Sequence, residues 1–211
     1  MHMRNLWLTL VVATLLAIGS SHAAEKPPAR LFSLDAGYID TGSSKYGDGM
    51  IFGASIIEGE GRVGFGIVTS AFSNSITYSV SIPSGDEEQI YNYEEKFSDF
   101  FVTILATFRP NLGSQSRQLV GGIGPQVHFL KATKYYITDG YSVSARDFRL
   151  GLGIWLRFLQ RIHAFGNTAI VITATHSWAE PAGETVEPFE YTVPDEGLAF
   201  PTVTAGLAFP F

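Results

Sequence analysis

The chain has 211 residues, with 14 Lys and Arg against 20 Asp and Glu, a formal net charge of −6, no cysteine, 13% aromatic and 16% charged residues. Charge this far below the ~25% of an ordinary soluble domain predicts a large surface that is buried or turned to lipid. The acidic balance speaks against nucleic acid as a partner, and the lack of cysteine excludes a disulfide-stapled scaffold.

Residues 1–23 have the layout of a secretory signal. Arg4 supplies the positive start, an apolar run covers 6–18, and Ser21, His22, Ala23 and Ala24 offer a small-residue cleavage point. The run is too short for the ~20 residues of a helical span. Setting the signal aside removes Arg4 and leaves residues 24–211 as one domain, with 13 Lys and Arg, 20 Asp and Glu and a net charge near −7.

After a short polar leader over 25–30, apolar and polar residues alternate, which predicts β-strands with two unlike faces. The first strand, 31–41, sets Phe32, Leu34, Ala36 and Tyr38 against Ser33, Asp35 and Gly37. The second, 49–57, sets Met50, Phe52, Ala54 and Ile56 against Gly49, Gly53 and Ser55. Tight-turn chemistry fills 58–61. The third strand starts at Arg62 with Val63, Phe65 and Ile67 on one face, and its pattern continues past any ordinary strand length. The run through Tyr78, a turn at Pro83 and the return to Lys96 predict a hairpin over 74–96 that stands above a membrane.

The fourth strand, 97–110, sets Phe100, Val102, Ile104, Ala106 and Phe108 against Asp99, Thr103, Thr107 and Arg109. The fifth, 117–135, carries Leu119, Ile123, Val127 and Phe129 opposite Gln118, Gln126 and His128. Pro125 within it removes one backbone donor from a strand that should be fully paired, which counts against unbroken pairing there. The sixth carries Phe148, Leu150, Leu152, Ile154, Leu156 and Phe158 opposite Asp147, Arg149, Trp155 and Arg157, and the seventh covers 168–179. An acidic loop with three prolines, 180–196, precedes the last strand.

In that last strand Val203, Ala205, Leu207, Phe209 and Phe211 alternate with Thr202, Thr204, Gly206, Ala208 and Pro210. A strand ending on an aromatic residue, with apolar residues at every second position before it, resembles the closing strand of bacterial outer-membrane β-barrels. That resemblance implies that Phe209 and Phe211 serve as the signal read by the barrel-assembly machinery. Eight strands, short turns after the second, fourth and sixth, and long excursions after the third and seventh predict an all-β, antiparallel, up-and-down transmembrane barrel. An open sheet would leave unpaired backbone groups in lipid, so the ring must close. The architecture resembles the small barrels that include OmpX and the membrane domain of OmpA. The even strand number lets both termini lie on the periplasmic side, no motif calls for a cofactor, and the resemblance implies a Gram-negative outer membrane and surface roles such as adhesion, envelope integrity or partner binding.

A soluble lipocalin-type barrel would reverse the faces, with apolar residues inside. Here the polar face carries most of the strand glycines together with mid-strand charges, which suits a narrow, filled interior. Asp35, Asp99, His128, Asp147, Arg149 and Arg157 are the candidates for a network that pairs across the lumen. Its rival is a proton or ion path, and hence a small transport pore.

On the outward parity, Lys131, Arg146 and His176 form a candidate contact with lipopolysaccharide phosphates, with snorkelling into solvent as the plain alternative. A lipid A-modifying enzyme is the other rival. Lipid A deacylases use a His and a Ser two residues apart with a Glu, whereas His176 and Ser177 are neighbours that a strand sends to opposite faces. Glu180, Glu184 and Glu187 complete no triad, so no catalytic residue is assigned. The histidines show no metal-ligand spacing. The hairpin over 74–96, with Tyr78, Tyr91 and Tyr93, is the candidate site for a protein partner bound by strand addition.

Overall fold

A computed structural model describes residues 30–43, 46–59, 62–84, 87–110, 117–162, 168–180, 193 and 197–211. The signal at 1–23 and most of the acidic loop lie outside the described residues. Eight strands follow one another: β1 (Arg30–Ile39), β2 (Gly49–Glu58), β3 (Val63–Ser84), β4 (Glu87–Phe108), β5 (Arg117–Tyr136), β6 (Tyr141–Arg161), β7 (Ala169–Ala179) and β8 (Leu198–Pro210). Each pairs antiparallel with the next, and β8 returns to β1 from Leu31↔Pro210 to Ile39↔Thr202, so the sheet is a closed barrel in chain order. The eight-stranded up-and-down ring expected from the alternation is the fold observed.

Strand length divides the ring. β1 and β2 have 10 residues each and β7 has 11, the ~9–11 that a tilted strand needs to cross a hydrocarbon layer. β3 and β4 have 22, β5 has 20 and β6 has 21. The excess on these four forms a wall that rises beyond the rest of the ring. The segment expected as a separate hairpin over 74–96 is the upper half of β3 and β4, continuous with their barrel halves and paired from Val63↔Phe108 to Ser84↔Glu87. No turn interrupts them because alternation never lapses.

The outward face of the ring is apolar. Ile104 and Leu150 lie mid-strand yet are 58% and 61% exposed. The phase changes where the wall leaves the ring. Up to Ala71 the outward residues of β3 are apolar except Thr69, whose hydroxyl bonds the Ala54 carbonyl, and beyond it they become Ser73, Ser75, Thr77, Ser79 and Ser81. The opposite face of the wall carries a row of four tyrosines in register, Tyr78↔Tyr93↔Tyr136↔Tyr141. Their ring centroids are 5.1, 6.4 and 4.7 Å apart along the row, and Lys134 Nζ sits 3.9 Å above the Tyr93 ring.

The lumen is filled, though not by small and charged residues alone. Two apolar clusters occupy inward positions. One, toward the chain termini, gathers Leu31, Ile57, Leu105, Val120, Trp155, Leu159 and Val171. The other, toward the wall, gathers Ile39, Ile51, Phe72, Phe97, Phe101, Leu130 and Phe200. Along each strand the inward polar residues fall largely between them. The physical reason is that a barrel this narrow is a packed core, and apolar side chains fill it without needing hydrogen-bond partners.

The expected fault at Pro125 is present. The β4–β5 ladder skips from Thr103↔Gln126 to Ala106↔Ile123, while the β5–β6 ladder stays continuous through Pro125↔Leu152. Strands crowd there: a Cβ on Gly124 would lie 1.7 Å from the Ile104 carbonyl oxygen, so only glycine fits.

Candidate functional site

All six candidate lumen charges sit on the inward parity, where Arg157 pairs with Asp35, His128 with Asp99 and Arg149 with Asp147, and the last two pairs adjoin through the cross-strand neighbours His128 and Arg149. Arg157 reaches across the barrel to its far strands. Its Nη2 donates to Asp35 Oδ2 at 2.9 Å, its Nη1 to Ser33 and Ser55 Oγ at 2.6 and 2.8 Å, and its Nε to Thr173 Oγ1 at 2.8 Å. Thr204 Oγ1 donates to the same Asp35 oxygen at 3.2 Å, and the guanidinium carbon lies 4.3 Å from the Trp155 ring centre. Nearer the wall, Asp99 Oδ2 and His128 Nδ1 are 2.8 Å apart on adjacent strands, and the His128 ring stacks on Phe101 at 5.0 Å. Arg149 Nε donates to Asp147 Oδ2 at 2.8 Å within one strand, and its Nη1 donates to the Tyr46 hydroxyl at 3.2 Å.

Gln126 spans the middle, donating to Thr103 Oγ1 at 2.9 Å and Ser177 Oγ at 3.2 Å. A cavity of about 20 Å³ beside it is lined by Asp35, Ser70, Thr103, Thr175, Thr202 and other inward residues, room for about one water molecule. The hydroxyls of Ser33, Ser55, Thr173 and Thr204 and the phenol of Tyr46 were not among the sequence candidates. Parity marks the first four as inward, but only register shows that Ser33, Ser55 and Thr173 converge on the Arg157 guanidinium and Thr204 on the Asp35 carboxylate paired with it.

The outward cations are brought together in part. Lys131 and Arg146 are direct cross-strand partners on β5 and β6, both exposed. His176 does not join them. It lies opposite Ile154 and Pro201, eight residues along β6 from Arg146, which is about 26 Å at ~3.3 Å per residue. Its ring packs on Trp178 at 4.1 Å, inside the apolar band and not above it. Outward parity was legible, but height on a strand depends on register, and that moves His176 out of the patch.

His176 and Ser177 face opposite sides, as a strand dictates. Ser177 is fully buried and bonded to Gln126. Glu184 and Glu187 lie outside the described residues. Among the described residues, no three His, Asp or Glu side chains gather as a metal ion requires. Phe209 and Phe211 point outward, 38% and 66% exposed, with Phe209 opposite Phe32 on β1.

Along the wall, β2 pairs with β3 only as far as Ile51↔Phe72. From there to Ser84 no described strand pairs with that side of β3. Asn74 Nδ2 donating to the Tyr46 carbonyl at 3.4 Å is a side-chain contact at the base of this edge. On the other side of the hairpin, β5 covers β4 up to Tyr93↔Tyr136.

No protein-family model matches the sequence, and no curated protein matches it. Solved structures share its architecture. Neisserial surface protein A is 12% identical over 89% of this chain and 100% of that one, with a TM-score of 0.55. A major outer membrane protein from Thermus thermophilus is 12% identical over 87% of this chain and 100% of that one, with a TM-score of 0.52. At these identities the likeness is one of fold: the chain has the closed antiparallel barrel of bacterial outer-membrane proteins.

Proposed function

We propose that the protein is an integral, non-enzymatic barrel of a bacterial outer membrane, closed to solute flow, with periplasmic termini and a surface-exposed wall that binds an extended protein segment. The outward apolar band and the filled lumen support insertion without transport. The observation that carries the binding role is the open edge of β3. From Val63 to Ser84 this strand has no Asp, Glu, Lys or Arg, and among the described residues its upper half has no strand partner on one side. Natural edges are ordinarily blunted by charge, and a long uncharged edge is a template for another strand.

Thr77→Lys with Ser81→Lys would place charge on this edge without touching the barrel. Cells displaying the altered protein at equal density should lose adhesion to protein-coated surfaces several-fold relative to the unaltered chain. Adhesion that is unaffected, or no greater than that of cells without the protein, overturns strand addition.

A further inference from the structure

Three cations of the outer face, Lys96, Lys131 and Arg146, lie in ordered ranks above an aromatic girdle. The uppermost apolar rank on the outward face runs Ala71↔Phe100↔Phe129↔Phe148, with Phe100 6.0 Å from Phe129 and Phe129 5.6 Å from Phe148 between ring centres. The next rank up is Ser73↔Ser98↔Lys131↔Arg146, and the one above it is Ser75↔Lys96↔Thr133↔Ser144. Three cations and their hydroxyl neighbours therefore sit within two ranks of the place where hydrocarbon gives way to headgroups, since aromatic girdles mark that boundary in barrels.

In a chain of net charge −6, none of Lys96, Lys131 and Arg146 has a carboxylate within ion-pair distance among the described residues. The nearest outward acid in register, Glu94, lies one rank higher opposite Thr77 and is bonded to Ser75. Directly opposed side chains on neighbouring strands are ~5 Å apart at Cβ, so Lys131 and Arg146 offer one anion two positive groups, with Arg able to bind it through two parallel N–H bonds.

We infer that Lys131 and Arg146, with Lys96 beside them, hold the phosphomonoester of a saccharide lipid in the outer leaflet, of the lipid A class. A monoester carries a charge of about −1.5 to −2 near neutrality, which matches a cation pair better than the single charge of a phosphodiester headgroup. Ser98, Thr133 and Ser144 supply hydroxyls to the phosphate oxygens and to the sugar. The acyl chains then lie along the Phe100, Phe129 and Phe148 girdle. The inference rests on the membrane-inserted orientation proposed above.

The test uses the full mature barrel refolded in detergent and titrated with three probes: bisphosphorylated lipid A, dephosphorylated lipid A and phosphatidylglycerol. The unaltered protein should bind the first and not the second. Lys131→Ala with Arg146→Ala should weaken that binding about tenfold or more, as loss of charge-assisted hydrogen bonds predicts. His176→Ala, far along the strand, should leave it unchanged. Lys131→Arg should retain it.

If the alanine pair fails to fold by heat-modifiable gel migration, Lys131→Gln with Arg146→Gln gives the same reading. Equal binding of lipid A with and without phosphate overturns the inference, as does an unaffected double variant. Phosphatidylglycerol bound as tightly as lipid A shows a generic anionic surface and also overturns it. A protein that is soluble and monomeric without detergent would instead sink the membrane reading itself.

Discussion

Arg157 and Asp35 gather five strands at one point. The guanidinium of β6 donates to groups on β1, β2 and β7, and the carboxylate of β1 accepts from β6, β7 and β8. Both side chains are nearly inaccessible, 1% and 5% exposed, so each charge has lost its water and depends on these partners to offset that loss. Asp35→Ala leaves the arginine buried and uncompensated, and is expected to cost about 3–5 kcal/mol. Asp35→Leu with Arg157→Met removes both charges at similar volume and is expected to cost far less. Urea unfolding of the refolded barrel, followed by tryptophan fluorescence, measures both; equal losses would show that the ion pair is not what the substitutions disturb. Gly153 supports the same interior through shape: a Cβ there would lie 2.5 Å from Gln126 Nε2, so the side chain joining Thr103 to Ser177 fits because position 153 is bare.

On the scale of a strand, the useful boundary is the change of phase between Phe100 and Ser98 on β4 and between Phe148 and Arg146 on β6. Below it the outward residues suit lipid, and above it they suit water. The chain has no cysteine, so single substitutions report this boundary without interference. Ser79→Cys and Ser142→Cys, outward on the wall, are expected to react with a maleimide on a bulky polymer when intact cells are treated. Ile104→Cys and Leu150→Cys, in the lipid-facing band, are expected to stay unlabelled until the membrane is dissolved. Labelling of all four on intact cells would overturn insertion, and labelling of none would place the wall on the inner side of the membrane.

The strands were legible in sequence because a two-residue period needs only local information, and even the fault at Pro125 follows from its missing N–H. That Lys131 and Arg146 share the outward face also followed from parity, though not that they are direct partners. Which residues share a height was not legible. Parity says which face a side chain takes, while register fixes how far along it lies, and that separates His176 from the other two. The partners of Arg157 were hidden for the same reason, being up to 124 residues away along the chain.

For the molecule as a whole, closure and filling decide what can pass. The ring closes because β1 and β8 pair through nine consecutive positions from Leu31↔Pro210 to Ile39↔Thr202, and a closed ring is what the proposed insertion in lipid requires. Inside, a solute would have to pass the Phe72, Phe97, Phe101 and Phe200 cluster, then the Gln126 and Arg157 layers, then the Leu105, Trp155 and Leu159 cluster. The cavity between them holds about one water molecule, which is too little for a continuous aqueous path. A filled interior was legible from the glycines and charges of the inward face, whereas the two apolar clusters that complete it were not, since apolar inward residues such as Phe101 and Leu105 blur the pattern they share with Thr103. The reconstituted protein is therefore expected to give no stepwise current in a planar bilayer under applied voltage. Phe101→Ala with Phe200→Ala alone should not open it, because the lower cluster still closes the path. Steady conductance in the unaltered barrel would overturn the sealed lumen and restore the pore as its role.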